Sequence, residues 1–125
     1  MRIAAGLVAV LSVLGLSACS GSGSSSPRPL DDPGAAQVPV TLTDQGCNPT
    51  DFALHAGSVV FVVTNPSTKK VTEMEVQDAN GHVRGDIEGV TAGHTRSFRV
   101  VLQAGATYRV RCPESAPTGG SIVVN

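Results

Sequence analysis

Two cysteines and a set of carboxylates are the residues of this 125-residue chain with the most chemistry to offer. Glu73 and Glu75 stand two apart, so on a strand they share one face. Side by side they repel unless a cation, an arginine or water separates them, and Asp86, Glu88 and Glu114 could join them from neighbouring loops. Carboxylates are hard ligands suited to Fe(III), Mg, Ca or Mn, whereas thiolates favour Cu(I), Zn or softer iron sites. Cys47, Glu73 and Cys112, with Glu75, Asp86 and Glu88 as further candidates, are the residues whose types could ligate iron or copper. A second reading stands beside it. Cys47 and Cys112 form a disulfide, and Glu73 and Glu75 are the solvated face of an edge strand beside Lys69 and Lys70. If the disulfide forms, any metal site falls back on carboxylates alone. A third possibility joins the two: the pair binds metal when reduced and releases it when oxidised.

Other chemistries find little support. No Ser or Cys nucleophile has an activating His in a recognisable motif, and the glycines mark hairpins instead of phosphate loops, so no enzyme is expected. His55, His82 and His94 each adjoin a turn and are scattered, which reads as exposed turn residues. Nine Lys and Arg face ten Asp and Glu, for a formal net charge of −1. No basic stripe with interleaved aromatics occurs, so nucleic acid is not an expected partner. Phe52, Phe61, Phe98 and Tyr108 are too few for a large aromatic groove.

The N-terminus sets the compartment. Met1-Arg2 is followed by an apolar run from Ile3 to Leu16, too short to span a bilayer comfortably, which is the pattern of an export signal. Its ending, Leu16-Ser17-Ala18-Cys19, resembles a bacterial lipobox. That resemblance implies a signal peptide over 1–18, a lipidated Cys19, and attachment to a membrane on its extracytoplasmic or periplasmic face. Several acyl chains hold stably because each buried CH₂ contributes about 0.8 kcal/mol. Lipidating Cys19 leaves Cys47 and Cys112 as an even pair in an oxidising compartment. Residues 19–36, rich in Ser, Gly and Pro, read as a tether with an end-to-end spread of roughly 20–25 Å.

Residues 37–125 read as strands throughout. Val38, Val40 and Leu42 alternate with Pro39, Thr41 and Thr43, the period of a half-buried strand. Gly46-Cys47-Asn48-Pro49 reads as a break. Further strands are expected over Thr50–His55, Ser58–Thr64 (a β-branched run fit for burial on both faces), Val71–Gln77, His82–Asp86, Thr95–Leu102, Thr107–Cys112 and Ser121–Val124. Asp78-Ala79-Asn80-Gly81 is a hairpin turn. No helical period of useful length follows residue 37. The pattern predicts an all-β, antiparallel Greek-key sandwich of seven or eight strands, with a small closed barrel as the alternative.

Gly46-Cys47-Asn48-Pro49, Ala56-Gly57-Ser58-Val59-Val60-Phe61 and Asn65-Pro66-Ser67 resemble the opening half of a cupredoxin. Tyr108-Arg109-Val110-Arg111-Cys112 and Gly119-Gly120-Ser121-Ile122-Val123-Val124 resemble its closing half. Among cupredoxins the order is similar to the N-terminal domain of EfeO-type periplasmic iron-uptake proteins. There the matching features are Cys47, Glu73-Met74-Glu75, Thr91-Ala92-Gly93 and Cys112. The resemblance implies a cupredoxin-like sandwich with Cys47 and Cys112 at its metal-site end and Glu73 as a ligand. The large helical peptidase-like domain of those proteins has no counterpart here, so the expectation is a stand-alone lipoprotein. Met74 stands where the family pattern has an aromatic residue. It alternates with Val76 on the face opposite Glu73 and reads as core, with a thioether on offer.

A blue-copper centre needs a Cys, two His and usually a weak axial Met. The stretch after Cys112, Pro113 to Gly120, holds neither His nor Met, and the place of the first cupredoxin His is taken by Glu73. No type 1 copper centre is expected. The functional expectation is a membrane-anchored extracytoplasmic protein that binds iron or copper and assists uptake or handover, with envelope metal-transport proteins as partners. The alternative is a metal-free, disulfide-locked interaction module of the cell envelope.

Overall fold

A computed structural model describes residues 34–115 and 119–125. The signal segment, Cys19, residues 20–33 of the tether, and residues 116–118 lie outside the described residues. Nine strands follow: β1 (Ala36–Thr43), β2 (Gly46–Asn48), β3 (Phe52–Leu54), β4 (Gly57–Asn65), β5 (Met74–Gln77), β6 (Val83–Ile87), β7 (His94–Leu102), β8 (Thr107–Arg111) and β9 (Gly120–Val124). They form a four-stranded sheet in the order β2-β1-β4-β7 and a five-stranded sheet in the order β3-β9-β8-β5-β6. The described residues thus form an all-β sandwich, as their alternation predicts.

The ninth strand is β2, where the sequence pattern reads as a break. Gly46 adopts φ +135°, which lets the chain reverse immediately after β1. Cys47 then pairs with Leu42 and Asn48 with Thr41. Thr43 Oγ1 donates to the Gly46 carbonyl at 3.1 Å and accepts from the Gln45 N–H at 3.2 Å, closing the hairpin. After the cis Asn48–Pro49 bond the chain passes from one sheet to the other and becomes β3. That crossing also explains a departure from an all-antiparallel sandwich. β1 runs parallel to β4, and β3 runs parallel to β9. Side-chain periodicity reports which face a residue occupies and carries no information on strand direction.

Each strand sends alternate residues inward. Val38, Val40 and Leu42 of β1 meet Val59, Phe61 and Val63 of β4, Phe98, Val100 and Leu102 of β7, and Met74, Val76, Tyr108, Val110, Ile122 and Val124 of the facing sheet. Val60, on the opposite face of β4, is buried too. Its register neighbours are Gln37 and Arg99. The double-sided burial expected of this strand holds only at Val60: Ser58, Val62 and Thr64 on the same face are half-buried, because that face of the four-stranded sheet is not packed against the core.

The sandwich closes along one side where β6 lies against β7. A Cβ on Gly85 would meet Val100 Cγ2 at 2.7 Å, the Arg99 carbonyl oxygen at 3.1 Å and Phe98 Cδ2 at 3.1 Å. Only a glycine lets the two strands approach this closely. Gly85→Val is expected to destabilise the fold by about 1–3 kcal/mol through overpacking. Urea unfolding followed by circular dichroism reads this, and an unchanged midpoint would show that the seam is loose.

At the end of the sandwich where β5 turns into β6, Asp78 organises the hairpin. Its carboxylate accepts the Asn80 and His82 N–H groups, each at 2.9 Å, and two bonds from Arg84 at 3.0 and 2.7 Å. Backbone donation from His82 is the main cause that holds this carboxyl down at about 2.

Candidate functional site

One pole of the sandwich collects the ends of β1, β4, β6 and β8 with the starts of β2, β5, β7 and β9. Cys47 and Cys112 meet there as a disulfide, 65 residues apart in sequence, with Cα atoms 5.9 Å apart. The bond joins β2 of one sheet to the residue following β8 of the other. Both half-cystines are buried, at 7% and 1% exposure. Just beyond, the Ser115 N–H and hydroxyl both donate to the Cys112 carbonyl. Ser115 packs against Gly46, where an added Cβ would stand 3.0 Å from Ser115 Cβ. Ser115 therefore sits over the β1–β2 hairpin.

Asn65 ties together the loops of the same pole. Fully buried at the end of β4, it donates from Nδ2 to the Thr68 carbonyl at 2.9 Å and to the Val90 carbonyl at 2.7 Å. Its Oδ1 accepts the Thr68 N–H at 2.9 Å. The bonds to Thr68 close its own turn, and the bond to Val90 extends its reach to the β6–β7 connection. Nothing local in the sequence announces that second partner. Thr68 Oγ1 in turn donates to Asp44 Oδ1 at 2.5 Å.

The carboxylates share this pole but face away from the sulfurs. β5 pairs with β8 so that Glu75 lies opposite Arg111, and with β6 so that Glu75 lies opposite Asp86. One register step further out, Glu73 stands beside Glu88. In β5 the buried residues are Met74 and Val76, and in β8 they are Tyr108 and Val110, followed by buried Cys112. By the two-residue period, Glu73, Glu75, Asp86 and Glu88 occupy the outer face of the five-stranded sheet, whereas Cys112 points into the sandwich. The sequence reading gathers sulfurs and carboxylates into one pocket. The structure brings them to one pole on opposite faces of one sheet.

Glu75 accepts a hydrogen bond from Gln77 Nε2, and its Oε1 lies 3.7 Å from Arg111 Nη1. Among the described residues, no such cation stands beside Glu73. Burial raises its pKa above the ordinary value, and the charges of Glu88, Glu75, Asp86 and Glu114 raise it further. A carboxyl whose folded pKa is raised weakens folding as pH climbs past its unfolded value of 4.5, and does not when both states are protonated. Glu73→Gln is therefore expected to raise the melting temperature at pH 7 and to leave it unchanged near pH 3. Melting curves at the two pH values check this, and a loss of stability at pH 7 would point to an unrecognised partner for the carboxylate.

The histidines remain apart. His94 Nδ1 lies 3.0 Å from Thr91 Oγ1 and 3.2 Å from the Ala92 carbonyl, at the disulfide pole. His82 Nδ1 is 3.4 Å from Asp78 Oδ2, at the opposite pole, where His55 also sits after β3. All three are exposed. Among the described residues, no three His, Cys, Asp or Glu side chains are grouped to hold a metal ion. A type 1 copper centre does not fit these residues: its thiolate would be Cys112, which is bonded to Cys47, and the two imidazoles it needs are not at hand.

No protein-family model matches the chain, and no curated protein matches it. Solved structures do. Auracyanin B superposes with a TM-score of 0.63 at 14% identity, covering 73% of this chain and 89% of its own. Auracyanin A, a "blue" copper protein from Chloroflexus aurantiacus, gives 0.59 at 15%, covering 74% and 100%. The metal-binding domain of the Cu(I)-exporting P-type ATPase of Streptococcus pneumoniae gives 0.54 at 14%, covering 71% and 84%. At such identities the likeness establishes architecture: the chain is a cupredoxin-like β-sandwich.

Proposed function

We propose that this chain is an extracytoplasmic, lipid-anchored cupredoxin-like module that carries copper as cargo through Cys47 and Cys112 in their reduced form. The observation that carries the reading is the meeting of these two cysteines, one from each sheet, at one pole of a cupredoxin-like sandwich. Two thiolates are soft donors and select Cu(I). The sequence leaves iron and copper open; auracyanin A and the ATPase domain reported above are copper proteins, and neither supports iron. The lipobox at Cys19 supports a membrane anchor, and the likeness to the EfeO-type domain supports an accessory role beside envelope metal-transport proteins. The oxidised pair is the closed state and the dithiol the carrying state. No catalysis is assigned.

A second reading rests on a different observation. Both sulfurs are bonded and buried, as suits a disulfide-locked interaction module. Anaerobic titration of the full chain with Cu(I), after reduction and after oxidation, separates the two. Tight binding of one equivalent by the reduced chain alone supports the copper reading. Absence of binding in both states removes it and leaves the locked module.

A further inference from the structure

We infer that Met74 supplies a third sulfur to the reduced Cys47–Cys112 pair, making a three-sulfur Cu(I) site inside the disulfide pole. The inference rests on the copper reading above and deepens it by naming the ligand set. Glu75 pairs with Arg111 and Val76 with Val110 across β5 and β8. Continuing that register by one residue toward the pole sets Met74 opposite Cys112, which follows the end of β8. Both point inward, at 0% and 1% exposure, and both belong to the same buried cluster as Cys47. Directly opposed residues have Cβ atoms about 4.5–5.5 Å apart. The unbranched methionine side chain, with three rotatable bonds, readily turns its sulfur toward such a neighbour.

The chemistry of the donors agrees with the placement. Thiolate and thioether are both soft and select Cu(I), whereas the carboxylates of this pole are hard and face outward. A buried Cu(I) held by two thiolates carries one net negative charge, and burying charge is costly. A thioether adds a donor without adding charge and without a proton to displace, which a glutamate at this position would not do. The two steps balance. A dithiol reductant attacks one sulfur of the disulfide and forms a mixed disulfide, which its second thiol resolves. The reductant leaves oxidised, and Cys47 and Cys112 each gain a proton. Cu(I) then displaces those two protons and stays Cu(I) throughout.

Affinity of the reduced full chain for Cu(I) is measured by competition with bicinchoninate, for the wild type and for Met74→Leu, a volume-conserving change. X-ray absorption of the wild-type Cu(I) complex counts the sulfurs independently of any variant. The expected results are three sulfur neighbours in the wild type and a loss of affinity of at least about tenfold in Met74→Leu. Two sulfurs in the wild type, or equal affinity in a folded Met74→Leu, overturns the assignment of Met74 while leaving the thiol pair as carrier. No Cu(I) uptake by the reduced wild type overturns both.

Discussion

Replacing Phe61 by alanine is expected to lower the stability of the folded domain by about 3–5 kcal/mol. The ring is fully buried in the middle of β4. It stands edge-on to Phe52 with centroids 5.7 Å apart and stacks on Phe98 at 5.3 Å. Those contacts link the two sheets through Phe52 and two neighbouring strands through Phe98, the register partner of Phe61. Each such ring pair contributes about 0.5–1.5 kcal/mol beyond the area it buries. The truncation also leaves a void among β-branched neighbours, whose stiff χ1 angles give little scope for collapse. Since small domains hold only about 5–15 kcal/mol in total, the variant should sit near the edge of unfolding. Urea unfolding followed by circular dichroism measures the loss. A value under about 1 kcal/mol would mean that the core around Phe61 repacks freely.

Opening the Cys47–Cys112 bond is expected to cost about 4 kcal/mol, because the crosslink closes a long loop in the unfolded chain. The loop spans 65 residues, which is most of the folded part. For a domain of this size the melting temperature should fall by roughly 15–30 °C. The double variant Cys47→Ser/Cys112→Ser and the chemically reduced wild type should agree within a few degrees. A fall of only a few degrees in both would show that the bond adds little beyond the packing around it.

This cost bears directly on the copper reading. The dithiol state is less stable than the oxidised one by the same amount, so a reduced chain without metal is vulnerable. A ligand that binds only the folded form restores stability, by about 4.1 kcal/mol at a thousand times its Kd. Copper at that level would offset the loss of the bond. On the copper reading, disulfide formation and metal loading are alternatives: each would hold the two sheets together at the same pole by different chemistry. Melting curves of the reduced chain with and without Cu(I) should show the recovery.

Much of the architecture was legible in the order of residues. Val38-Pro39-Val40-Thr41-Leu42 alternates in a way that only a half-buried strand explains, and the β-branched run from Ser58 to Thr64 announces β4, though of its outer face only Val60 is buried. β2 was not legible, because three residues containing a glycine and ending before a proline carry no periodic signal. Nor was the parallel pairing of β1 with β4 and β3 with β9, since direction depends on where the chain crosses between sheets.

The candidate site divides the same way. Within β5, alternation alone sets Glu73 and Glu75 on one face and Met74 on the other, because successive side chains of a strand point to opposite sides. Whether Cys112 shares a face with the glutamates or with the methionine depends on the register between β5 and β8, and on which side of that sheet meets the core. Those are relations between residues more than thirty positions apart, and no local pattern encodes them. Residue order thus determined strands, faces and the presence of two sulfurs and an acidic set. Tertiary pairing alone decided that the sulfurs bond to each other inside the sandwich while the carboxylates look out.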